Sequence, residues 1–347
     1  MTGARPFLII VAIIIGIVVV LSLAQIFLKP RDGIQRVLSG TLLKSEDGGI
    51  TWKTLDQFPG GEIININFDE ASSSIILVGT KRRGIWRGNT AGDNWRQYPG
   101  GVGETSEIFD LIGPVRENDF IALVLFADRG RIIKFKEGGR TELFFTPLER
   151  FAFLKGYITK KGFIRVIGSD GGFYESANDG ATWRSISRFR EGLLLLAFNP
   201  KADNEVWVSD PKGLLYGSND GGRSWQNLNE GLRKFDGTGE LGFIFFDPGS
   251  GYLYHGSRHG LLRSNDNGTT WARVDLTVPP DALPLTAMTV DPSDSRKIYV
   301  SALNQIYISE DAGVSWKGIQ VWETDAVSHI LINPSNPKEI FIGVKSK

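Results

Sequence analysis

An eight-residue phrase recurs along this chain at a nearly fixed interval, and no other feature restricts its fold as tightly. "SEDGGITW" (Ser45 to Trp52), "SANDGATW" (Ser176 to Trp183), "SNDGGRSW" (Ser218 to Trp225), "SNDNGTTW" (Ser264 to Trp271) and "SEDAGVSW" (Ser309 to Trp316) are clear copies, and "GNTAGDNW", ending at Trp95, is a weaker one. The tryptophans at 52, 95, 183, 225, 271 and 316 lie 42 to 46 residues apart, except for one gap of 88 that is twice the period. The missing copy falls near residue 140, where "FKEGGRTE" (Phe135 to Glu142) keeps Gly139 and Thr141 but has lost the serine and the tryptophan. Self-similarity at this period means a repeat architecture, in which each unit buries its apolar face only against its neighbours.

Between octets the text is regular too. "LTAMTVDPSDSRKIYVSALNQIYISEDAGVSWKGI" predicts strands near 285–290, 297–301, 305–309 and 315–319. Four short strands rich in Val, Ile, Tyr and Trp in about 44 residues make one blade of a β-propeller. At the C-terminus "SHILI" and "EIFIGV" follow the last octet without one of their own, and at the N-terminal side "GTLLKS" and "TWKTL" have no strands before them. The two pairs are expected to share a composite blade that closes the ring and removes exposed sheet edges. The expected fold is therefore all-β: a seven-bladed propeller over residues 39–347, with six recognisable octets and one eroded.

Within the octet the acidic position is expected to accept backbone N–H bonds across a turn. Asp47, Asp220, Asp266 and Asp311 hold this place, with Asn178 and Thr90 replacing them in two copies. Gly49, Gly222, Gly268 and Gly313 are expected at positive φ. The closing tryptophans Trp52, Trp183, Trp225, Trp271 and Trp316 are expected to bury their rings between sheets, each contributing about 2–3 kcal/mol. An amide or a threonine in place of the carboxylate suits a turn and argues against a calcium loop, so no metal and no cofactor is expected here.

The pattern Ser-x-Asp-x-Gly-x-Thr-Trp resembles the Asp-box, or BNR repeat, of sialidases, sortilin-type receptors, some xyloglucan hydrolases and the photosystem II assembly factor propellers. The resemblance covers roughly residues 38 to 347. It implies fold strongly and function weakly. A sialidase would carry an Arg-Ile-Pro motif in its first inner strand, which this chain lacks; "FIRVIG" from Phe163 is mid-chain and has no proline. Xyloglucan hydrolases of this type pair two propellers, and sortilin-type receptors use ten blades with cysteine-rich modules. The assembly-factor type, a single seven-bladed ring whose basic patch engages a partner protein, is nearest in size. It implies a non-catalytic docking or assembly module, with a glycan-binding or glycan-cleaving module as the alternative.

Phe7 to Leu28 is a run of 22 residues, "FLIIVAIIIGIVVVLSLAQIFL", broken only by Ser22 and Gln25. It is long enough to span about 30 Å of hydrocarbon as one helix. Ser22-Leu23-Ala24 would suit a signal peptidase, but apolar residues continue past Ala24 and signal cores hold only about 7–15. The expectation is an anchor over 1–28, a linker over 29–38, a cytoplasmic N-terminus and an extracytoplasmic propeller. Arg5 on one side against Lys29, Arg31 and Arg36 on the other would, counted alone, favour the opposite orientation. Lysine plus arginine equals aspartate plus glutamate at 39 each, so bulk charge recruits neither nucleic acid nor a lipid surface. The absence of cysteine excludes disulfides, thiol catalysis and thiolate metal sites.

In a propeller the turns between the second and third strands of each blade lie on one face with the connections between blades. Here positive charge gathers in three neighbouring turns: Lys345 and Lys347, then Lys81, Arg82 and Arg83, then Arg129 and Arg131, opposed mainly by Asp128. This arc is the candidate site for a protein partner, expected to belong to a membrane complex, or for an anionic glycan. Trp322, Arg258 and His259 are further contact candidates. Trp86 and Trp207 read as core, and His255 and His329 fall in predicted strands. No histidine cluster has metal-ligand spacing. The interblade loops place Asp56, Glu62, Glu104, Glu107, Asp275, Asp281, Glu323 and Asp325 on the same face, which is therefore expected to be mixed rather than uniformly basic, and a glycosidase would need two such carboxylates facing each other across the channel mouth.

Overall fold

The computed structural model describes residues 40–347 except 70–71, 99–101, 103–105, 117–118, 137–138, 147–148, 280–281, 322–325 and 346–347. The run Phe7–Leu28, the linker after it, Trp322 and Lys347 lie outside the described residues. Among the described residues no helix is long and apolar enough to cross a membrane.

The chain enters the ring on β1 (Thr41–Ser45) and β2 (Lys53–Thr54). Blade 1 holds β3 (Glu62–Asp69), β4 (Ser72–Lys81), β5 (Gly84–Asn89) and β6 (Arg96–Gln97). Blade 2 holds β7 (Ser106–Arg116), β8 (Asp119–Phe126), β9 (Arg129–Lys136) and β10 (Gly139–Phe145). Blade 3 follows with β11 (Phe153–Ile158), β12 (Ile164–Gly168), β13 (Gly172–Ser176) and β14 (Arg184–Arg188). Blade 4 is built from β15 (Leu195–Phe198), β16 (Val206–Ser209), β17 (Leu215–Ser218) and β18 (Gln226–Asn227), after which one helical turn, α1 (Asn229–Leu232), leads onward. Blade 5 has β19 (Leu241–Phe246), β20 (Leu253–Ser257), β21 (Gly260–Ser264) and β22 (Ala272–Val274). Blade 6 has β23 (Ala287–Asp291), β24 (Asp294–Ala302), β25 (Gln305–Ser309) and β26 (Lys317–Gln320). The chain returns on β27 (Ala326–Asn333) and β28 (Asn336–Lys345).

Among the described residues there are seven four-stranded antiparallel sheets, and one has the order β2-β1-β28-β27, so the first two and the last two strands share one blade. Thr41 pairs with Val344 and Ser45 with Ile340 across that seam. The inner strands β3, β7, β11, β15, β19, β23 and β27 each contact the next, closing the ring. The eroded repeat is a full blade: β9 and β10 form its outer hairpin, with Gly139 opposite Lys136.

Strand burial follows position in the blade. The second strands lie between two neighbouring sheets and read as unbroken apolar runs, as in Ile340–Val344 of β28, all buried. The outermost strands are polar and exposed, as in Lys317–Gln320. Seven apolar clusters fill the seven interfaces; Leu43, Ile306, Val327, Ile340 and Ile342 make the one between blade 6 and the closing blade. Trp207 of β16 is 1% exposed, stacks on Phe246 of the next blade with ring centres 5.0 Å apart, and donates from Nε1 to Asn267 O at 3.0 Å.

The octets are turns, as their composition predicts. Ser45 Oγ donates to Asp47 Oδ1 and accepts from Gly49 N, both at 2.8 Å. Asp47 Oδ1 also accepts from the amides of Ile50 and Thr51 at 3.0 and 2.9 Å, while Oδ2 accepts the Thr51 hydroxyl at 2.6 Å. The Ser218, Ser264 and Ser309 boxes repeat the serine bond to the glycine amide at 2.8 Å. Asn178 keeps the acceptor role through Oδ1, taking Thr182 N at 2.8 Å, and its Nδ2 donates to the Thr182 hydroxyl at 2.9 Å, so an amide suffices. Gly222 sits at φ 89, and a Cβ there would come within 2.4 Å of the Phe173 ring in the preceding blade. Both the turn and the blade contact thus require glycine.

The tryptophans depart from expectation. Of the box tryptophans only Trp271 is fully buried, at 3%, whereas Trp52, Trp183, Trp225 and Trp316 are half-buried. Their Nε1 atoms explain it: Trp52, Trp183 and Trp316 donate to the carbonyl of their own box glycine at 3.0, 3.1 and 3.2 Å, which lays the ring over the turn at the outer rim. The buried element of the box is its serine. Replacing Ser218, 3% exposed, with alanine would leave the buried Gly222 amide without an acceptor. The expected loss is about 1–3 kcal/mol, read as a lower urea midpoint; an unchanged midpoint would show the box to be dispensable.

Candidate functional site

Because successive strands run antiparallel, the turns between second and third strands share one end of the ring with the connections between blades. The predicted arc lies there. Arg82 and Arg83 form the β4–β5 turn, with Arg82 at φ 61, and Ala127 and Asp128 form the β8–β9 turn at φ 51 and 58. The Arg82 amide donates to Ser106 O at 3.1 Å, and Ser106 pairs with Phe126, so the two turns are continuous around the rim.

The counter-charges match expectation in part: Glu62 and Glu107 are among the interblade carboxylates expected on this face, whereas Glu142 and Glu149 are not. Glu62 accepts Lys345 at 2.7 Å and faces Lys81 at 3.9 Å; Glu107 holds Arg82 at 3.3 Å; Glu149 faces Arg129 at 3.5 Å; Glu142 holds Arg131 at 2.8 Å. These glutamates, and not Asp128, oppose the arc. Arg83 stands apart: its guanidinium donates only to the Pro59 carbonyl, at 3.0 Å, and among the described residues it has no carboxylate partner. Its own carbonyl accepts from Trp86 Nε1 and Gln97 Nε2, which fixes the turn that presents it. Next to it in the arc, Arg129 and Arg131 lie over the Phe145 ring at 5.7 and 4.9 Å, and Arg131 also lies 4.9 Å from the centre of Phe126. The arc therefore offers one unneutralised guanidinium beside a shelf of arginines and phenylalanines.

The same partners bear on hydrolysis. Burial pushes the Glu62 carboxyl up, but the bond and charge of Lys345, with Lys81 and Arg82 behind it, more than offset this and hold it below the usual range. A general acid in a glycosidase needs the opposite. Glu107 is taken by Arg82. Asp275 is exposed, faces Arg273 at 3.9 Å, and Glu104, Asp281, Glu323 and Asp325 lie outside the described residues.

The remaining candidates separate from the arc. Arg258 is paired with Glu240 at 3.2 Å, and His259 Nδ1 contacts Asp236 O at 2.9 Å while its ring meets Phe235 edge-on. Both belong to blade 5, away from the three blades of the arc. Each box carboxylate is engaged by its own turn; the bonds from Thr51, first its hydroxyl and then its amide, hold Asp47 at about 2. Among the described residues no group of three or more His, Asp or Glu is placed to hold a metal ion.

Sequence reasoning missed the channel wall. A cavity of about 710 Å³ opens along β3, β7, β11 and β15. Asp110, 6% exposed, accepts from Asn65 Nδ2 at 2.6 Å, Lys155 Nζ at 3.3 Å and Gly156 N at 3.1 Å, tying three inner strands together. The signal was present: Asp110 interrupts the apolar run "IFDLIG".

Seven four-stranded blades, a shared closing blade and repeated serine–aspartate turns define an Asp-box β-propeller. The model of the photosynthesis system II assembly factor YCF48 family matches residues 181–346, just under half of the chain. Among solved structures, YCF48 bound to D1 peptide is similar at TM-score 0.65 and 13% identity, covering 82% of this chain and 93% of that one. YCF48 from Cyanidioschyzon merolae is similar at TM-score 0.60 and 12% identity, covering 81% and 94%. A GH74 xyloglucanase from Xanthomonas campestris reaches TM-score 0.66 at 16% identity, and this chain spans about half its length, 51%. Identities this low establish the fold alone. No curated protein sequence is a significant match.

Proposed function

We propose that this chain is a non-catalytic docking propeller that holds a protein partner from a membrane complex against the basic arc of Lys81, Arg82, Arg83, Arg129, Arg131 and Lys345. The observation that carries the reading is Arg83, an exposed guanidinium without a carboxylate partner among the described residues, next to the Phe126–Phe145 shelf. A cation of that kind gains a charge-assisted bond to an acidic or carboxy-terminal peptide without first breaking an internal ion pair. The family match over residues 181–346 supports an assembly role, and a propeller of similar fold is solved with a bound peptide. The run Phe7–Leu28 would anchor the protein, with the propeller on the extracytoplasmic side.

The test is a cross-linked pull-down of the full chain from its native membrane in mild detergent, beside the Lys81/Arg82/Arg83→Glu variant. The wild type is expected to enrich a membrane complex and the variant to lose it. Arg83→Ala alone is expected to weaken capture by about 10- to 100-fold, the range of a charge-assisted bond. Equal capture by all three would remove the arc from the reading, and a positive carbohydrate array would move the assignment to glycans.

A further inference from the structure

The opposite end of the ring, where the boxes lie, carries a second surface. The sixth box residue is Ala181, Arg223 or Thr269 in three boxes, but Ile50 in the closing blade and Val314 in blade 6. These are the most exposed of the large exposed apolar side chains among the described residues, at 56% and 79%. Between their two blades runs a groove of about 500 Å³, lined by Ile50, Ile308, Ile319, Tyr299 and Trp316, with Ser315, the residue after Val314, also in its lining. An apolar residue in this position serves no purpose in the turn, because the box bonds use only its amide: Ile50 N and Val314 N donate to Asp47 and Asp311.

Charge around the groove is unbalanced. Lys297, Lys317 and Lys338 line it, and among the described residues none is in an ion pair. Of the two acidic residues there, Asp47 has its oxygens occupied by the neutral donors of its own box but stays ionised, and Glu310 is the other carboxylate. Three ammonium groups without an ion pair against two carboxylates leave the groove net positive by one charge, with the lysines open to a carboxylate from outside. The arc on the other face is the reverse case, with most of its cations already paired.

We propose that this groove docks an extended acidic segment of a partner protein, setting one apolar side chain between Ile50 and Ile319 and a carboxylate of the segment on the lysines Lys297, Lys317 and Lys338. Concavity favours a peptide over a bilayer, since a groove of this volume accepts a single side chain whereas a lipid surface rewards a protruding patch. A phosphodiester strand would use the lysines but leave the apolar floor unfilled.

The test is fluorescence anisotropy of a labelled hexapeptide alternating glutamate and leucine, titrated with the full chain in detergent, beside the same peptide with lysine for glutamate. The acidic peptide is expected to bind and the basic one not. Lys297→Glu and Lys338→Glu should each weaken binding roughly tenfold, and Ile50→Asp at least as much. The Lys81/Arg82/Arg83→Glu variant should keep the part of the acidic-peptide binding that Lys297→Glu and Lys338→Glu remove, which separates this surface from the arc. The proposal is overturned if the acidic peptide does not bind, if the basic peptide binds equally, or if the lysine reversals change nothing. It is overturned equally if Ile50→Asp instead abolishes self-association in sedimentation or adsorption to anionic vesicles, either of which would assign the groove to a second copy or to lipid.

Discussion

Replacing Glu175 with alanine is expected to destabilise the propeller by about 3–5 kcal/mol, the cost of leaving a buried charge without its partner. Glu175 on β13 is 1% exposed and Arg165, opposite it on β12, is 4% exposed; Arg165 Nε meets Glu175 Oε2 at 2.8 Å. Arg165 also donates to the Tyr157 hydroxyl at 3.0 Å and to Asp203 O in the next blade at 2.6 Å. Burial pushes the Glu175 carboxyl up, and the bonds from Arg184 and Arg165 more than offset it. Removing the carboxylate leaves the Arg165 guanidinium in place, held by neutral groups only. Arg184 is the internal control: it binds the same carboxylate at 2.5 Å but is 63% exposed, so Arg184→Ala should cost no more than about 1 kcal/mol. Urea midpoints of the two variants decide the matter, and a Glu175→Ala loss no larger than that of Arg184→Ala would show that water reaches Arg165. The double change Arg165→Met with Glu175→Leu should recover part of the loss but not all, because the Tyr157 hydroxyl and Asp203 O then lose their donor.

This pair also shows where sequence reading succeeds and fails. The blades, their number and the shared closing sheet were legible because they rest on local signals: strand alternation, turn chemistry and a tryptophan at a fixed place. The turns of the arc were legible for the same reason, since Arg82–Arg83 and Ala127–Asp128 are bounded by apolar strands on both sides. Partner identity was not. Glu62, which Lys345 finds across the ring closure, was among the acids expected on this face, but its pairing was not; Arg131 finds Glu142 across a hairpin with a bulge between Glu142 and Phe144, so Asp128, the nearest acid to it in sequence, was the wrong choice. Arg165 drew attention only for lacking an adjacent proline. Hairpin pairing would have placed it opposite Glu175, and an arginine and a glutamate directly opposed within apolar strands is a buried pair that spacing alone can suggest. The channel cluster of Asn65, Asp110 and Lys155 comes from three blades and has no such local signature.

Between pH 6.5 and 4 the protein is expected to lose stability through His255, by roughly 3 kcal/mol in total. This residue on β20 is 0% exposed, its ring meets Trp271 edge-on at 5.7 Å, and neither ring nitrogen has a hydrogen-bond partner. Burial, followed by a small contribution from the charge of His259, pushes its pKa down to about 4. Above pH 6.5 the imidazole is neutral in folded and unfolded chains alike and contributes no pH dependence. As pH falls from 6.5, the unfolded chain takes up a proton that the folded chain refuses, so the unfolded state gains about 1.4 kcal/mol per pH unit until the folded pKa is reached. His329 acts in the same window, since burial and then the charge of Lys155 hold it at about 4, although it keeps partial access to the channel. The box carboxylates act lower. Asp47 and Asp311, held at about 2 by their turns, stabilise the fold above their unfolded values and lose that contribution only as pH falls from about 4 toward 2. The two windows can therefore be separated by one variant. His255→Leu should flatten about half of the slope in urea midpoint between pH 6.5 and 4 while leaving the steeper fall below pH 4 intact. A variant that keeps the full wild-type slope would mean that His255 accepts its proton without opening the fold, and that the acid-sensitive element lies elsewhere in the ring.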